Sequence, residues 1–312
     1  MNHCYERTIR KVDGAEQPHY ELSNGLGSPF YCDVATFEET VAIHPTWKEE
    51  HHSHEFHSVL WFTAGRGTHI VDFEPHEVRP GRVFFLSADQ VHTYSNMCGE
   101  AGVSLLLGRD ALPLVNEQLA RDFEFGLFNR YRQVPYCDVP PEAEDELRDL
   151  LRYIGREHTT GKFLDAHWDC LAAYLTLLFV FFRRRCVWPN GMRHQNHEHL
   201  HQFYRFQQLL EQHDKEWLKV GDYARMLNMS EKNLVRIVRQ VTGVTPIQVM
   251  HDWYVLRAKR LLAITSITFA EIADELGSQS ADYFRKYFRQ QTQQSPTDFR
   301  RQWVLSMEEK SE

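Results

Sequence analysis

The first part of the chain alternates short apolar segments with turn residues, a pattern typical of β-structure. Between residues 33 and 107 the apolar segments are Val34–Phe37, Thr40–Ile43, Val59–Phe62, Thr68–Phe73, Val83–Leu86 and Val103–Leu107. The turn signals include Gly65-Arg66-Gly67, Glu74-Pro75-His76 and Arg79-Pro80-Gly81. Several short strands at this spacing predict a sandwich or barrel. No helical pattern long enough for a crossover interrupts them, so a parallel α/β sheet is not expected.

After Pro140-Pro141 the apolar positions take up helical spacing. Leu147, Leu150, Leu151 and Ile154 follow one another at i, i+3, i+4 and i+7. This spacing places the four side chains on one face and predicts an amphipathic helix.

A second helix is predicted with a wider apolar face. Its apolar residues are Phe163, Leu164, Trp168, Leu171, Leu175, Leu178, Phe179 and Phe182, and it ends at Arg183-Arg184-Arg185. A helix so broadly apolar must be buried on more than one side. Two alternatives stay open: the helix packs against the β-structure, or it also contributes to a dimer interface, because exposed apolar patches of this size are rare in monomers.

From His201 onward every segment is helical, and the segment contains an internal repeat. In the first helices of the repeat, Ala224 and Leu227 correspond to Ala273 and Leu276, an offset of 49 residues. In the second helices, Leu234, Val238 and Pro246 correspond to Phe284, Phe288 and Pro296, an offset of 50 residues. A single repeat accounts for both offsets if the second turn is one residue longer.

Each repeat has the local features that a helix-turn-helix requires. The small side chains of Ala224 and Ala273 let two helices cross closely, and Asn228 or Gly277 can take the positive φ that ends a helix. The predicted N-caps of the second helices are Ser230 and Ser280, and Thr268 with Glu271 makes a predicted capping box.

The second helix of each repeat carries basic side chains on its predicted outer face. The outer residues are Lys232, Val235, Arg236 and Arg239 in the first repeat, and Ala281, Asp282, Arg285, Lys286 and Arg289 in the second. A basic row on one helix can be merely a solvated surface. Because it occurs on both second helices, it favours insertion into the major groove of DNA.

The charge distribution agrees with this division of the chain. The net charge of the 312 residues is −8, but residues 201–312 hold 16 basic and 14 acidic side chains and the preceding 200 residues hold 19 and 29. Between Lys219 and Arg301 there are 13 basic and 8 acidic side chains. We therefore expect only the C-terminal part to meet a polyanion.

Composition excludes several other classes of protein. A hydrophobic share of 42% and a charged share of 25% indicate a globular chain. The longest apolar run, Leu171 to Phe182, is shorter than the ~20 residues that span a bilayer. The N-terminus lacks the apolar segment of a secretory signal. Six cysteines without a CxxC pair are typical of reduced thiols, so we expect a cytoplasmic protein without membrane contact.

The C-terminal segment from residue 219 to residue 301 resembles the AraC/XylS family of bacterial transcription regulators. The resemblance implies that a helix around Pro246–Ala263 joins the two units and that both second helices enter one face of the DNA. By position it assigns base contacts to Lys232, Val235, Arg236, Ala281, Asp282, Arg285 and Lys286. The matching stretches are Ser230 with Leu234-Val235-Arg236, Gly243-Val244-Thr245-Pro246, Leu256-Arg257-Ala258-Lys259-Arg260-Leu261-Leu262, Ile272-Ala273-Asp274-Glu275-Leu276-Gly277, Tyr283-Phe284-Arg285-Lys286-Tyr287-Phe288-Arg289 and Ser295-Pro296-Thr297-Asp298-Phe299-Arg300-Arg301.

Two positions depart from the family pattern. The family usually has Phe where this chain has Ser278, and it favours Gly at the position of Gln293, where the last recognition helix would be capped. We therefore expect the second unit to sit less firmly than the first.

The β-structure contains histidines in a pattern that resembles the cupins. His52 and His54 open a strand, and His92 follows the turn at Pro80-Gly81. In metal cupins a Glu accompanies these ligands, and Ser58 occupies its position here. Three imidazoles can still hold zinc or another borderline metal, so a metal-dependent cupin enzyme with a helical appendage stays open as the alternative.

A small-molecule effector site is the favoured interpretation of these histidines. A period of two places His52, His54, Phe56, Ser58, Leu60 and Phe62 on one strand face, and His57, Val59 and Trp61 on the other. A face with polar groups at its mouth and an apolar floor suits a small organic effector. The predicted effector-binding residues are His52, His54, Ser58, His92 and Tyr94.

The sequence as a whole predicts an α+β protein that regulates transcription and is not an enzyme. We expect an activator that binds promoter DNA, a small-molecule effector such as a sugar and RNA polymerase, forms a homodimer, and needs no cofactor or metal. The predicted domains are a cupin-like effector-binding barrel at 1–140, a helical dimerisation or packing segment at 141–188, a linker at 189–200, an all-α double helix-turn-helix domain at 201–303 and an acidic tail at 304–312.

Overall fold

The computed structural model describes most of the chain, in two compact units. The units are Met1–Arg193 and His194–Glu312. The described residues are 8–11, 19–23, 32–43, 51–88, 90–108, 127–128, 134–160, 165–189, 197–264 and 267–308. No helix in these ranges is both long and apolar enough to span a membrane.

The described residues of the N-terminal unit contain nine strands. They are β1 (Thr8–Lys11), β2 (His19–Ser23), β3 (Cys32–Thr36), β4 (Ser53–His54), β5 (Phe56–Val71), β6 (Glu74–Val78), β7 (Arg82–Leu86), β8 (His92–Gly108) and β9 (Tyr136–Asp138). One sheet has the order β1-β2-β4, and the other has the order β3-β8-β5-β7-β9 with β6 also paired to β5. A backbone bridge between His52 and His92 connects the two sheets.

Two of the predicted turns are wrong. Gly65 and Gly67 lie inside β5, which runs for 16 residues, and they coincide with register shifts against β8. A side chain at Gly65 would meet the Glu100 backbone at 2.4 Å, so glycine permits this close, irregular pairing. The chain turns instead at Asp72 and Phe73, both with positive φ, and Glu74–Val78 forms a strand. The turn predicted at Pro80-Gly81 is confirmed.

The strand predicted at Thr40–Ile43 is also wrong, because this segment belongs to helix α1 (Phe37–Ile43). Thr36 begins the helix: its Oγ1 accepts a hydrogen bond from the Glu39 N–H at 3.2 Å, and the Thr36 N–H donates to the Glu39 carboxylate at 2.8 Å. Phe37 anchors the first turn against Phe62, with ring centroids 4.8 Å apart. The reciprocal cap and this anchor outweigh the β-propensity of the short apolar run.

The alternation predicted along the strand at 52–62 is confirmed, and both faces of β5 are buried. Leu60 and Phe62 lie in one core, beneath the histidines. Val59 and Trp61 lie in the other. Helices α2 (Glu144–Thr159) and α3 (His167–Arg185) cover this second core.

Helix α3 packs against the β-structure, as the first of the two alternatives predicted. Leu171, Leu175 and Leu178 are buried in the core of Val59 and Trp61. Trp168, however, is 50% exposed, together with Leu177 at 53% and Val180 at 37%. The predicted apolar positions Phe163 and Leu164 lie outside the described residues.

The regular secondary structure of the C-terminal unit is all helical among its described residues. Its helices are α4 (His197–Gln212), α5 (Val220–Met226), α6 (Glu231–Thr242), α7 (Pro246–Ile264), α8 (Phe269–Glu275), α9 (Ala281–Thr292) and α10 (Pro296–Glu308). Helix α4 begins within the linker predicted at 189–200, and α10 includes the first five residues of the acidic tail predicted at 304–312, ending at Glu308.

Candidate functional site

The first helix-turn-helix consists of α5, a tight turn and α6. Asn228 takes a φ of 55° in the turn. The Ser230 Oγ then accepts a hydrogen bond from the Asn233 N–H at 3.3 Å, which confirms the predicted N-cap. Leu234 and Val238 are buried beneath α6. The cap and the apolar face together fix which side of α6 meets solvent.

The second helix-turn-helix repeats these features in α8 and α9. Gly277 takes a φ of 60°, and a side chain there would lie 1.8 Å from the Lys215 carbonyl oxygen. The Ser280 Oγ accepts from the Tyr283 N–H at 3.1 Å, again as predicted. The predicted capping box is also present, with the Thr268 N–H donating to the Glu271 carboxylate at 2.7 Å.

Gln293 ends α9 in the same way that glycine ends α6. Gly243 has a φ of 80° and Gln293 has a φ of 60°, and each backbone N–H donates to the carbonyl four residues earlier at 2.9 Å. The cap of the second recognition helix is thus kept, although a residue with a Cβ is strained in this conformation.

The predicted DNA-facing residues of α6 lie on its outer side. Lys232, Arg236 and Arg239 are exposed, and Val235 is half-buried. The Arg236 guanidinium donates to the Asn233 side-chain oxygen at 2.9 Å and to that of Gln240 at 3.3 Å. These bonds hold it against the helix surface.

The corresponding residues of α9 form a similar but less basic face. Arg285, Lys286 and Arg289 are exposed, as is Asp282, while Ala281 is half-buried. The Arg285 guanidinium pairs with the Asp282 carboxylate at 2.8 Å. This pair removes one cation and one acceptor from the free surface of α9 and distinguishes it from α6.

The five predicted effector-binding residues lie together, all of them buried. The His52 and His92 rings are 4.0 Å apart and the His54 and His92 rings are 5.0 Å apart. The His54 Nδ1 donates to the Phe56 carbonyl at 2.6 Å, and its Nε2 lies 3.4 Å from the Ser58 Oγ. The last distance is that of a weak hydrogen bond.

One histidine of the cluster was missed by the sequence analysis. His69 is fully buried on β5, stacks on Tyr94 at 4.3 Å between ring centroids and lies 5.4 Å from the His92 ring. Neither of its ring nitrogens has a hydrogen-bond partner among the described residues. The two ring nitrogens of His69, which lack partners at the centre of a buried polar cluster, are a candidate contact for a ligand.

The cluster favours neutral imidazoles. Burial, reinforced by the neighbouring histidines, lowers the pKa of His69 and of His92 well below the ordinary value. Burial also lowers the pKa of His76, at the edge of the cluster, to about 4. Neutral imidazoles provide both donors and acceptors, which suits an uncharged hydroxylated ligand.

A metal centre is not built from these side chains. Across the described residues, no three His, Cys, Asp or Glu side chains are grouped so as to hold a metal ion.

Both units match known protein families. Residues 37–98 match the family model of the AraC-like ligand binding domain, and residues 223–302 match that of a helix-turn-helix domain. The HTH-type transcriptional activator RhaS of Salmonella heidelberg is 26% identical over 271 residues, which are 83% of this chain and 91% of the relative.

Solved structures are similar to parts of the chain as well. One is an AraC-type transcriptional regulator from Chromobacterium violaceum, at 25% identity and a TM-score of 0.32, covering 35% of this chain and 96% of that one. Another is ToxT from Vibrio cholerae, at 12% identity and a TM-score of 0.43, covering 87% of this chain and 97% of that one.

A sheet-rich ligand-binding unit followed by a double helix-turn-helix defines a DNA-binding regulator of transcription that senses a small molecule. The order of the two units and their sequence matches place the chain more narrowly. In both units it is similar to the AraC/XylS family of regulators.

Proposed function

We propose that this chain activates transcription by reading two adjacent major-groove segments of a promoter with α6 and α9. The observation that carries the proposal is the repeated geometry of these helices: each has a serine N-cap, a buried apolar face and exposed basic side chains opposite it. A short helix presented in this way fits the major groove, and its N-terminal residues reach the base edges.

The experiment is the selection of bound sequences from a randomised duplex pool with the full-length protein. We expect a motif of two short blocks about one helical turn apart, because two recognition helices read one face of the DNA. A motif with one block would contradict base reading by α9, and a pool without enrichment would contradict sequence-specific binding.

We infer that the effector is a small hydroxylated molecule, of the sugar class, held by the histidine cluster of the N-terminal unit. Sugar hydroxyls both donate and accept hydrogen bonds, as neutral imidazoles do, and the two ring nitrogens of His69 lack partners among the described residues. Calorimetric titration of the full chain with a panel of monosaccharides tests the class. We expect one of them to bind and the His69→Phe variant to bind it at least tenfold more weakly, while binding by neither protein contradicts the sugar class.

Two further partners follow from the proposal. A second copy of the chain would pack on the exposed side chains of α3, and RNA polymerase would be recruited at the promoter. RhaS, the relative above, is named a transcriptional activator, which supports the sign of regulation. We assign no catalytic step to the chain. Transcription in vitro from a template carrying the selected sequence should increase when this protein and the effector are added, and a decrease would indicate a repressor.

A further inference from the structure

The C-terminal unit contains a cavity of about 520 Å³ that DNA reading does not use. Its walls come from the 213–219 loop, the start of α5, and the side of α7. Glu231 at the start of α6 and Tyr287 of α9 also belong to the lining. The cavity has the size of a small-molecule site.

Aromatic rings form one wall of the cavity. Trp217 lies 4.5 Å from Tyr254 and 5.4 Å from Tyr287, measured between ring centroids, and the two tyrosine rings are 4.9 Å apart. Trp217 is 43% exposed, so its ring is accessible from solvent. The three rings pack against one another at steep angles, and all three residues line the cavity.

The same wall contains two buried hydroxyl groups without hydrogen-bond partners. The Tyr254 side chain is only 6% exposed, and its hydroxyl lies near that of Ser278 without reaching hydrogen-bonding geometry. The Tyr287 hydroxyl also has no partner among the described residues. Burial raises the pKa of Tyr254 to about 12, so this hydroxyl stays protonated. Both hydroxyl oxygens are shielded from solvent, so a ligand in the cavity would meet the tyrosine rings and not their hydroxyl groups.

The charged side chains around the cavity are mainly acidic. Four carboxylates and the basic side chains of Lys219 and Arg225 line it. Three of the carboxylates are already paired: Asp214 with Arg257, Glu216 with His213, and Asp222 with Arg225. Glu231 makes no ion pair with any described residue, and its carboxylate lies over Gly221. Among the charged lining residues that make no ion pair with a described residue, Glu231 contributes the negative charge and Lys219 the positive one.

We propose that this cavity binds an organic cation with an aromatic ring. The ammonium group would pair with Glu231 and lie against the faces of Trp217 and Tyr254, and the ring would fill the apolar part of the cavity. A cation beside an aromatic face and a carboxylate gains from both attractions at once.

Such a ligand would act on DNA binding from within the C-terminal unit. Its contacts would lie on α6 through Glu231, on α9 through Tyr287 and on the joining helix α7 through Tyr254. A ligand that touches both recognition helices changes their relative placement, so ligand and DNA alter each other's affinity by the same factor.

The test uses 1-naphthylmethylammonium as the probe and 1-naphthylacetate as its anionic counterpart, titrated into the full chain. We expect saturable binding of the cation, and binding at least fivefold weaker for Glu231→Gln and for Ile247→Lys, which places a positive charge at the exposed mouth. Asp274→Asn removes an exposed carboxylate outside the cavity and should stay within twofold of the natural chain.

Three results would overturn the proposal. They are equal binding of the cation and the anion, unchanged binding by Glu231→Gln, and no saturable binding at ~1 mM probe. A second measurement tests regulation: saturating cation should change the affinity for the selected duplex at least threefold in the natural chain but not in Glu231→Gln. A change below twofold in the natural chain would refute the regulatory role, and the control without probe shows separately that the chain binds DNA.

Discussion

Gly243 and Gln293 occupy equivalent places in the repeat and end their helices in the same left-handed conformation. A Cβ in this region costs ~1 kcal/mol because it crowds the following carbonyl oxygen. The chain accepts that cost at Gln293, whose side-chain amide donates to the Gln290 carbonyl at 3.0 Å. The departure from the family at this residue therefore affects stability more than architecture.

Gln293→Gly is expected to raise the free energy of unfolding by ~0.5–1 kcal/mol by removing the strain. The reciprocal variant Gly243→Gln should lower it by a similar amount, because no atom lies within 4 Å of a Cβ there and only the backbone conformation matters. Urea denaturation of the full chain measures both. Equal stability of Gly243→Gln and the natural chain would refute this account.

Arg236→Ala should cost ~1–3 kcal/mol in DNA binding and relax the preference at one base pair. The Asn233 and Gln240 side chains already orient the guanidinium, so little side-chain entropy is lost when it meets a base. Titration of the selected duplex and its single-base variants measures the effect. Arg152→Ala removes an exposed arginine of the N-terminal unit as the control, and an unchanged base preference in Arg236→Ala would remove Arg236 from the reading set.

At the scale of elements, the histidine cluster shows where sequence periodicity succeeds and where it fails. On β5 the inward residues are even-numbered as far as Phe62, but His69 and Val71 further along point to the same core. The register shifts between Phe62 and Thr68 reverse the alternation. A strict period of two therefore assigns His69 to the wrong face, although it places His52, His54 and Ser58 correctly.

Acid is expected to destabilise the N-terminal unit. The pKa of His69 is well below the ordinary value and that of His76 is about 4, so both stay neutral in the folded unit. In the unfolded chain they take up protons near pH ~6.5. Because the unfolded state then binds more protons, the free energy of unfolding is greatest above pH ~6.5 and falls as the pH drops toward the folded-state values.

Thermal unfolding between pH 7.5 and pH 5 tests this linkage. His69→Phe, which keeps the ring stacking on Tyr94, should show a shallower loss of stability with acid than the natural chain. His201→Gln, an exposed histidine of the C-terminal unit, should leave the loss unchanged. The same pH dependence in all three proteins would show that His69 is not a source of it.

Helix α3 has a second apolar face besides the one it buries. Ala173, Leu177 and Val180 are exposed at spacings of four and three residues, the pattern of a coiled-coil seam. Leu177→Glu should weaken self-association at least tenfold, or ~1.4 kcal/mol, by placing a charge in that seam. Sedimentation velocity measures it, with Arg152→Glu on the exposed face of α2 as the control. Dimers of undiminished stability would exclude this face as the interface.

At the scale of the whole molecule, charge is divided between the units. The first 200 residues carry the excess of acidic side chains and the remainder is slightly basic. The excess negative charge of the N-terminal unit repels DNA phosphates. The basic faces of α6 and α9 are therefore the part of the chain that is attracted to DNA.

DNA affinity should therefore fall steeply with salt, because phosphate contacts release counterions. We expect a loss of at least ~10-fold between ~50 and ~200 mM salt, and a slope of log affinity against log salt that is smaller by ~1 in Arg239→Ala. Fluorescence anisotropy with the selected duplex measures the slope. A slope near zero would contradict binding through the basic faces of α6 and α9.

The sequence alone determined what depends on neighbours along the chain. Helical spacing, serine caps, the Thr268 capping box and the left-handed turn residues are local, so the helix-turn-helix repeat and its outer faces could be predicted residue by residue. The prediction failed at Thr40–Ile43, where a cap and one aromatic contact made a helix from a strand-like segment.

Tertiary structure alone decided what depends on residues that are distant in sequence. The cluster gains His69 because irregular pairing of β5 with β8 turns it inward, and the cavity beside Trp217 forms because the 213–219 loop and several helices meet there. Neither the His69 position nor the cavity can be recognised from a periodic sequence pattern. Each depends on how the elements pack, and the order of the elements along the chain does not specify the distances between them. Local sequence patterns therefore indicate that the chain binds DNA, while the packing of its elements defines which small molecules it can bind.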